Sequence, residues 1–333
     1  MGTIGELGEF GLIARLVRRL PPSARVPLGP GDDAALVAAP DGRVVATTDL
    51  LVEGRHFRLD WSGPYDIGRK AAAQNLADVV AMGARPTALL VGFAAPPGTE
   101  VGWAERVYDG LGDECAEAGA AVAGGDVVGA PQVTLAITAL GDLAGAPPLT
   151  RSGARPGDLV AVRGRLGHSA AGLGLLLDGW QDTADPAAGE VAADPAGREG
   201  AAGPAGREGA RELVAAHRRP RPPYAAGAEA RALGATALLD VSDGLLQDLG
   251  HIAAASGVLI DVDSAAVPVP DVLGPAGLRY ALTGGEDHAF AGTFPAATVL
   301  PPSWSVIGTV AEGIGVTVDG ASHGAGGWDH FGE

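Results

Sequence analysis

The sequence predicts an α+β protein of two domains, and three observations carry that prediction. The chain has 333 residues, 47% of them apolar, enough for a core in each of two halves. Its first half alternates strand-like with helix-like segments. A Gly- and Pro-rich stretch, GAPPLTRSGARPGD at 145–158, then interrupts the pattern, which suggests domains at 1–147 and 148–333.

Taken in order, residues 5–20 set Phe10, Ile13, Leu16, Val17 and Leu20 on one helical face. Residues 43–50 read as a strand and 67–82 as a helix. In that helix Lys70, Gln74 and Asp78 form a polar stripe, and Ala71, Leu76, Val79 and Val80 face elsewhere, toward the core. A salt bridge along the helix is the role expected of Lys70. Residues 87–96 follow as a strand, 101–118 as a helix, 120–126 as a strand running into a turn, and 133–141 as a strand. Past the junction come a strand at 159–164, a helix of small residues, and a helix at 224–234. The strand-turn TALLDVSDG, a helix to about 255, a strand at 258–263 and several short strands complete the chain. The heptapeptide PAGREGA occurs at 195–201 and again at 204–210. Residues 181–211 around it lack apolar periodicity and read as a flexible surface insertion.

The formal charge is −17, which argues against nucleic acid as a partner, because neutralising its phosphates needs basic patches. A protein this acidic that handles phosphates needs metal ions to supply positive charge. One cysteine, Cys115, excludes an internal disulfide framework and fits the cytoplasm. The N-terminus lacks the apolar core of a signal peptide. The longest uncharged run, Ala289 to Ala311, contains Pro295, Pro301 and Pro302 and is a poor membrane span.

Three motifs imitate known sites. SGPYDIGRKA spaces two glycines ahead of Lys70, but a phosphate-binding P-loop needs lysine directly after the second glycine and then Ser or Thr. LGPGDDAAL imitates a dinucleotide fingerprint, but no helix follows, and Asp32 and Asp33 stand where a pyrophosphate would sit. GRLGHSAAG sets Ser169 after a strand as in an esterase elbow, with Ala171 in place of the last glycine. A serine hydrolase built on Ser169 would take Asp240, and His288 or His251, as its partners.

The aspartates recur in one context, at strand ends and Gly-rich turns: Asp32 and Asp33, Asp49, Asp126, Asp240 and Asp243, then Glu286 with Asp287, while Asp78 lies on the helix stripe. One such aspartate is ordinarily a turn or cap residue. As a set they would repel one another by about 4 kcal/mol per pair at 4 Å and an effective dielectric near 20, so convergence implies cations. Oxygen ligands alone favour Mg²⁺ or Mn²⁺, with Thr47 and Thr48 adding hydroxyl or backbone oxygens. Bound Mg²⁺ bridges phosphate oxygens, so an acidic site can hold ATP. Arg151 at the junction suits a bidentate phosphate contact, and His56 is a candidate substrate contact.

These residues fall in strings that resemble the thiamine-monophosphate kinase family, within the superfamily of aminoimidazole ribonucleotide synthetase. The strings are GEFGLIARL, GPGDDAAL, TTDLLVEGRHF, NLADVVAMGA, AGGD, LTRSGARPGD, LLDVSDGLLQDLGHIA, LTGGEDHAF and GWDHFGE. They run in order from about Gly8 to the C-terminus, with only about 180–211 outside the pattern. The resemblance implies the two-domain aminoimidazole ribonucleotide synthetase-like fold and a homodimer that pairs N-terminal sheets. It implies direct in-line transfer of the ATP γ-phosphoryl group to thiamine monophosphate with several Mg²⁺ ions and no catalytic nucleophile. It implies Asp33, Thr47, Thr48, Asp49, Asp78, Asp126, Asp240 and Asp243 as metal ligands. Gly125, Asp126, Arg151 and Ser242 become nucleotide contacts, and His56, Glu286 and Phe331, or else Trp328, substrate contacts. Glu286 would oppose the thiazolium charge, and an aromatic face suits a cationic heterocycle. Tyr108 is a candidate for adenine stacking, although Asp109 holds the position the resemblance favours. The alternatives are a related ATP-dependent synthetase with another substrate, and the serine hydrolase at Ser169.

Overall fold

A computed structural model of the chain describes residues 2–28, 35–181 and 206–322, with residues 9 and 10 by backbone only. The chain forms two compact units. Among its described residues, the first holds 2–28, 35–79 and 84–146, and the second 80–83, 147–181 and 206–322.

The first unit opens with α1 (Ile4–Leu7) and α2 (Glu9–Val17). The single helix expected over 5–20 is interrupted at Gly8, whose φ of 73° lies outside helical space. Thr3 and Glu6 cap α1 reciprocally. Among the described side chains of α2, Leu12 and Leu16, one turn apart, are buried, whereas Ile13 and Val17 are half-buried. Four strands follow, β1 (Val45–Val52), β2 (Arg85–Ala95), β3 (Ala121–Gly129) and β4 (Thr134–Asp142), with α3 (Pro64–Ala81) and α4 (Val101–Ala118) between them. The sheet order is β1-β4-β2-β3, antiparallel except for β2 with β3. Strand period puts Thr47, Asp49 and Leu51 on one face and Thr48 and Leu50 on the other. The first face is covered by helices: Val79 of α3 approaches Gly141 of β4, and Tyr108 of α4 meets Phe93 of β2 edge to face at 6.2 Å. The second face leaves Leu50, Leu90 and Val128 exposed.

Helices α3 and α4 cross at glycines. A Cβ on Gly68 would stand 2.0 Å from the Val107 carbonyl oxygen, and one on Gly110 would stand 2.1 Å from that of Tyr65. Lys70 departs from the polar stripe expected of it. It is 2% exposed, and its ammonium donates to the His56 carbonyl at 3.1 Å. The apolar residues expected to face the core, Ala71, Leu76, Val79 and Val80, are all buried.

The second unit contains β5 (Leu159–Arg163), α5 (His168–Leu177), α6 (Gly206–Arg218), α7 (Ala226–Ala232), β6 (Ala237–Val241), α8 (Leu245–Ser256) and β7 (Leu259–Val262). A 3₁₀ turn (Asp271–Ala276), α9 (Gly277–Thr283), β8 (Ala289–Phe294), β9 (Ser305–Ala311), β10 (Gly315–Val318) and β11 (Ala321–Ser322) complete it. The sheet order is β11-β10-β7-β9-β5-β8-β6. Its core joins Val160, Leu239, Ile260, Ala291 and Ile307 of the sheet to Leu249 and Ile252 of α8. The expected insertion at 181–211 extends too far, because α6 begins at Gly206. Ala210, Leu213, Val214 and His217 are buried at helical spacing, so the second PAGREGA copy enters a core-facing helix. Residues 182–205 lie outside the described residues. No helix among the described residues is long and apolar enough to cross a membrane.

The glycine crossing makes a stability prediction. Gly68→Ala or Gly110→Ala is expected to lose about 1–3 kcal/mol through overpacking. Gly112→Ala on the same helix meets nothing within 4 Å and is expected to gain up to about 1 kcal/mol. Thermal unfolding of the three variants checks this, and equal midpoints would show that the crossing tolerates a methyl group.

Candidate active site

The acidic residues of the first unit are set by β1 and α3. Thr47 and Asp49 point to the helix-covered face, and the Thr47 hydroxyl donates to Asp78 Oδ2 at 2.9 Å. As an edge strand β1 has outward N–H groups without a strand partner. That of Asp49 donates to Asn75 Oδ1 at 3.0 Å, while Asn75 Nδ2 donates to the Ala71 carbonyl. Asn75 is fully buried and ties α3 to β1 beside the candidate ligands. Its signal in the sequence is a second amide directly after Gln74, three residues before Asp78. Thr48 turns the other way, its hydroxyl donating to the Ile137 carbonyl at 2.9 Å, so only its backbone oxygen stays with Thr47 and Asp49. His56 accepts the Val52 N–H on Nδ1 at 3.0 Å, which leaves the ring proton on Nε2 in the neutral form.

On β3, Gly125 is required by packing: a Cβ there would stand 2.0 Å from the Val91 carbonyl oxygen. Asp126 is exposed and accepts the Val127 N–H at 2.9 Å. These two residues line a cleft with Ile13, Leu16, Val17 and Tyr108. Burial, with the nearby Asp126 charge, pushes the Tyr108 phenol up, so it stays neutral. Asp109 is taken by Arg19 in a bidentate pair at 2.5 and 2.6 Å.

In the second unit the site residues gather where β6 and β8 run side by side. Asp240 is buried at the end of β6, its Oδ2 3.1 Å from His288 Nδ1. The following turn carries Ser242 and Asp243. The buried Asp248 closes it by accepting the N–H groups of Asp243 and Gly244, each at 3.1 Å. Burial and the neighbouring Asp240 charge raise the Asp248 carboxyl to about 7. The loop from Gly284 to His288 is strained, with φ of 63° at Glu286 and 51° at His288. Glu286 N–H donates to the Ser242 carbonyl at 2.7 Å and His288 N–H to that of Val241 at 3.0 Å. The Asp287 carboxylate accepts the N–H groups of Gly167 and Ser169 at 2.5 and 2.8 Å, and burial raises it to about 7. Arg151 is exposed, its carbonyl accepting from Ser256 Oγ at 3.3 Å.

The serine-hydrolase reading is overturned. Ser169 is 1% exposed, and its hydroxyl lies 3.0 Å from Nδ1 of His217, whereas His288 pairs with Asp240. The same Nδ1 of His217 is 3.6 Å from Glu286 Oε2. A triad needs the serine and the acid on opposite ring nitrogens. Cys115 is buried with its thiol pushed up by burial, so it is no nucleophile either.

Asp33, Trp328 and Phe331 lie outside the described residues. Among the described residues, no three His, Cys, Asp or Glu side chains stand close enough together to hold a metal ion. The candidate donors are all oxygens, a set that suits a hard divalent cation, and the Thr47–Asp78 pair joins two of them. Sequence reasoning missed Asn75, Asp248 and His217, which bond Asp49, Asp243 and Ser169 respectively.

Comparison with known proteins covers both units. Residues 31–143 match the model of the AIR synthase related protein N-terminal domain. The thiamine-monophosphate kinase of Mycobacterium tuberculosis is 46% identical over 99% of this chain and 94% of its own length. The crystal structure of thiamine-monophosphate kinase from Stenotrophomonas maltophilia superposes with a TM-score of 0.77 at 34% identity, covering 94% of this chain and 95% of that one. A structure described as AaThiL complexed with AMPPCP and TMP gives 0.76 at 32% identity over 99% of both chains. With the glycine-framed aspartates of both units inside these alignments, the chain belongs to the thiamine-monophosphate kinase family.

Proposed function

We propose that this chain transfers the γ-phosphoryl group of ATP to thiamine monophosphate, giving thiamine diphosphate and ADP. The observation that carries this reading is the full-length similarity, which spans the aspartates of β1, α3 and β3 as well as Asp240 of β6. A phosphate oxygen of thiamine monophosphate attacks the γ-phosphorus directly, the bond to the β-phosphate oxygen breaks, and ADP leaves. A covalent intermediate on Ser169 or Cys115 is disfavoured, since both side chains are buried.

Asp33, Thr47, Thr48, Asp49, Asp78, Asp126 and Asp240 would hold Mg²⁺, with Asp243 on a further ion. Bound there, Mg²⁺ supplies the charge neutralisation that phosphoryl transfer requires. In this reading Gly125, Asp126 and Ser242 contact the nucleotide, and the exposed Arg151 guanidinium reaches its phosphates. The cleft beside Tyr108 is the candidate adenine seat. His56, Glu286 and Phe331 or Trp328 hold thiamine monophosphate, Glu286 opposing the thiazolium charge. The exposed Leu50, Leu90 and Val128 of the first sheet support a homodimer that pairs these faces. A cytoplasmic setting fits the single, buried cysteine.

Product analysis with ATP, Mg²⁺ and thiamine monophosphate tests the reading, each component being omitted in turn. Thiamine diphosphate with stoichiometric ADP, lost on chelation of the metal, is expected. ADP without thiamine diphosphate would overturn it in favour of a related ATP-dependent synthetase. Asp78→Asn keeps an acceptor for Thr47 but removes a charge. It is expected to lower turnover by about 100-fold or more with an unchanged unfolding midpoint, and near-wild-type turnover would refute the metal role. Leu50→Asp is expected to convert a dimer to a monomer in light scattering. A wild-type chain that already runs as a monomer would refute the pairing.

A further inference from the structure

Ser169 and His217 are buried polar residues that the phosphoryl-transfer chemistry leaves without a task. They lie on different helices, α5 and α6, and meet at 3.0 Å between Ser169 Oγ and His217 Nδ1. That nitrogen also faces Glu286 Oε2 at 3.6 Å, an ion-pair distance rather than a hydrogen bond. The Glu286 side chain is 35% exposed and that of His217 only 6%, so a partly solvated carboxylate stands beside a buried imidazole. Its backbone is independently pinned. Glu286 N–H is held by the Ser242 carbonyl, and the next residue, Asp287, is clamped to the start of α5. With the main chain fixed at a positive φ, the remaining freedom of Glu286 is its side-chain torsions, and the element facing them is α6.

We propose that Ser169 and His217 form a positioning pair for Glu286. The Ser169 hydrogen bond to Nδ1 fixes the ring, and the fixed ring edge, 3.6 Å from Oε2, limits the orientations the carboxylate takes toward a cationic substrate. This rests on the reading of Glu286 as the carboxylate that opposes the thiazolium ring. The pair acts through Glu286 and touches neither reacting phosphate, so its signature is selective for one substrate. It accounts for a buried histidine on the inner stripe of α6, where Ala210, Leu213 and Val214 are its neighbours at helical spacing. It also accounts for the hydroxyl at Ser169, a position at which α5 alone needs only a small residue.

The test is steady-state kinetics of the full-length protein, with KM measured separately for thiamine monophosphate and ATP. His217→Leu is expected to raise KM for thiamine monophosphate about tenfold and leave KM for ATP unchanged. His217→Asn carries an N–H group near the Nδ1 position and is expected to stay within about threefold of wild type. In a Glu286→Gln background, His217→Leu is expected to add nothing, because the group it orients has lost its charge. A rise in KM for both substrates, or a full additional loss in the Glu286→Gln background, would overturn the pair and leave His217 a packing residue. An unchanged KM for thiamine monophosphate in Glu286→Gln itself would overturn the reading of Glu286, and the pair with it. If His217→Leu does not fold, Ser169→Ala replaces it, with an expected rise of about threefold in the same KM only.

Discussion

The constraint on which this structure depends is that carboxylates must be held in fixed positions. A pair of carboxylates 4 Å apart repels by about 4 kcal/mol at an effective dielectric near 20, and a hydrogen bond to a charged group returns about 1.5–3 kcal/mol. The chain answers with neutral donors. The Thr47 hydroxyl serves Asp78, the main chain serves Asp126, Asp248 and Asp287, and the His288 ring stands against Asp240. None of these donors brings a permanent positive charge. The negative potential therefore remains available for cations, which is what a site for polyphosphate in a chain of charge −17 requires.

Helix α3 shows how closely fold and chemistry share residues. Gly68 lets α4 approach, Asn75 fastens the helix to the edge of the sheet, and Asp78 faces Thr47. These side chains lie within three turns, so a shift of the helix by a fraction of an ångström would move the candidate ligands as a body. Lys70 belongs to the same economy. Its ammonium anchors the His56 carbonyl, which holds the turn after β1 while the His56 ring caps the end of that strand.

Most strands and long helices could be read from the sequence because their apolar periods are unbroken. α3 and α4 are examples, and β2 and β4 match their expected spans to within two residues. Failures arose where composition obscured period. The duplicated PAGREGA looks like a linker, yet its second copy leads into a stripe of Ala210, Leu213, Val214 and His217 that α5 buries. Gly8 was invisible as a break because a single glycine does not interrupt a hydrophobic pattern. At the candidate site, the nominated residues fall at turns and strand ends, where turn chemistry is local. Asn75 and His217 escaped because their partners lie 26 and 48 residues away, whereas Asp248, five residues from Asp243, makes a contact that a sequence window contains.

By itself the sequence determined the family, the α+β class, the acidic and cysteine-poor chemistry, and the positions of the turns that carry carboxylates, because each depends on residue type and short-range spacing. Tertiary structure alone decided which face of β1 each threonine takes, which histidine stands beside Ser169, and that Lys70 is buried with its ammonium on the His56 carbonyl. Those outcomes depend on which distant surface arrives to cover a residue. A buried polar group must take whatever partner that surface presents.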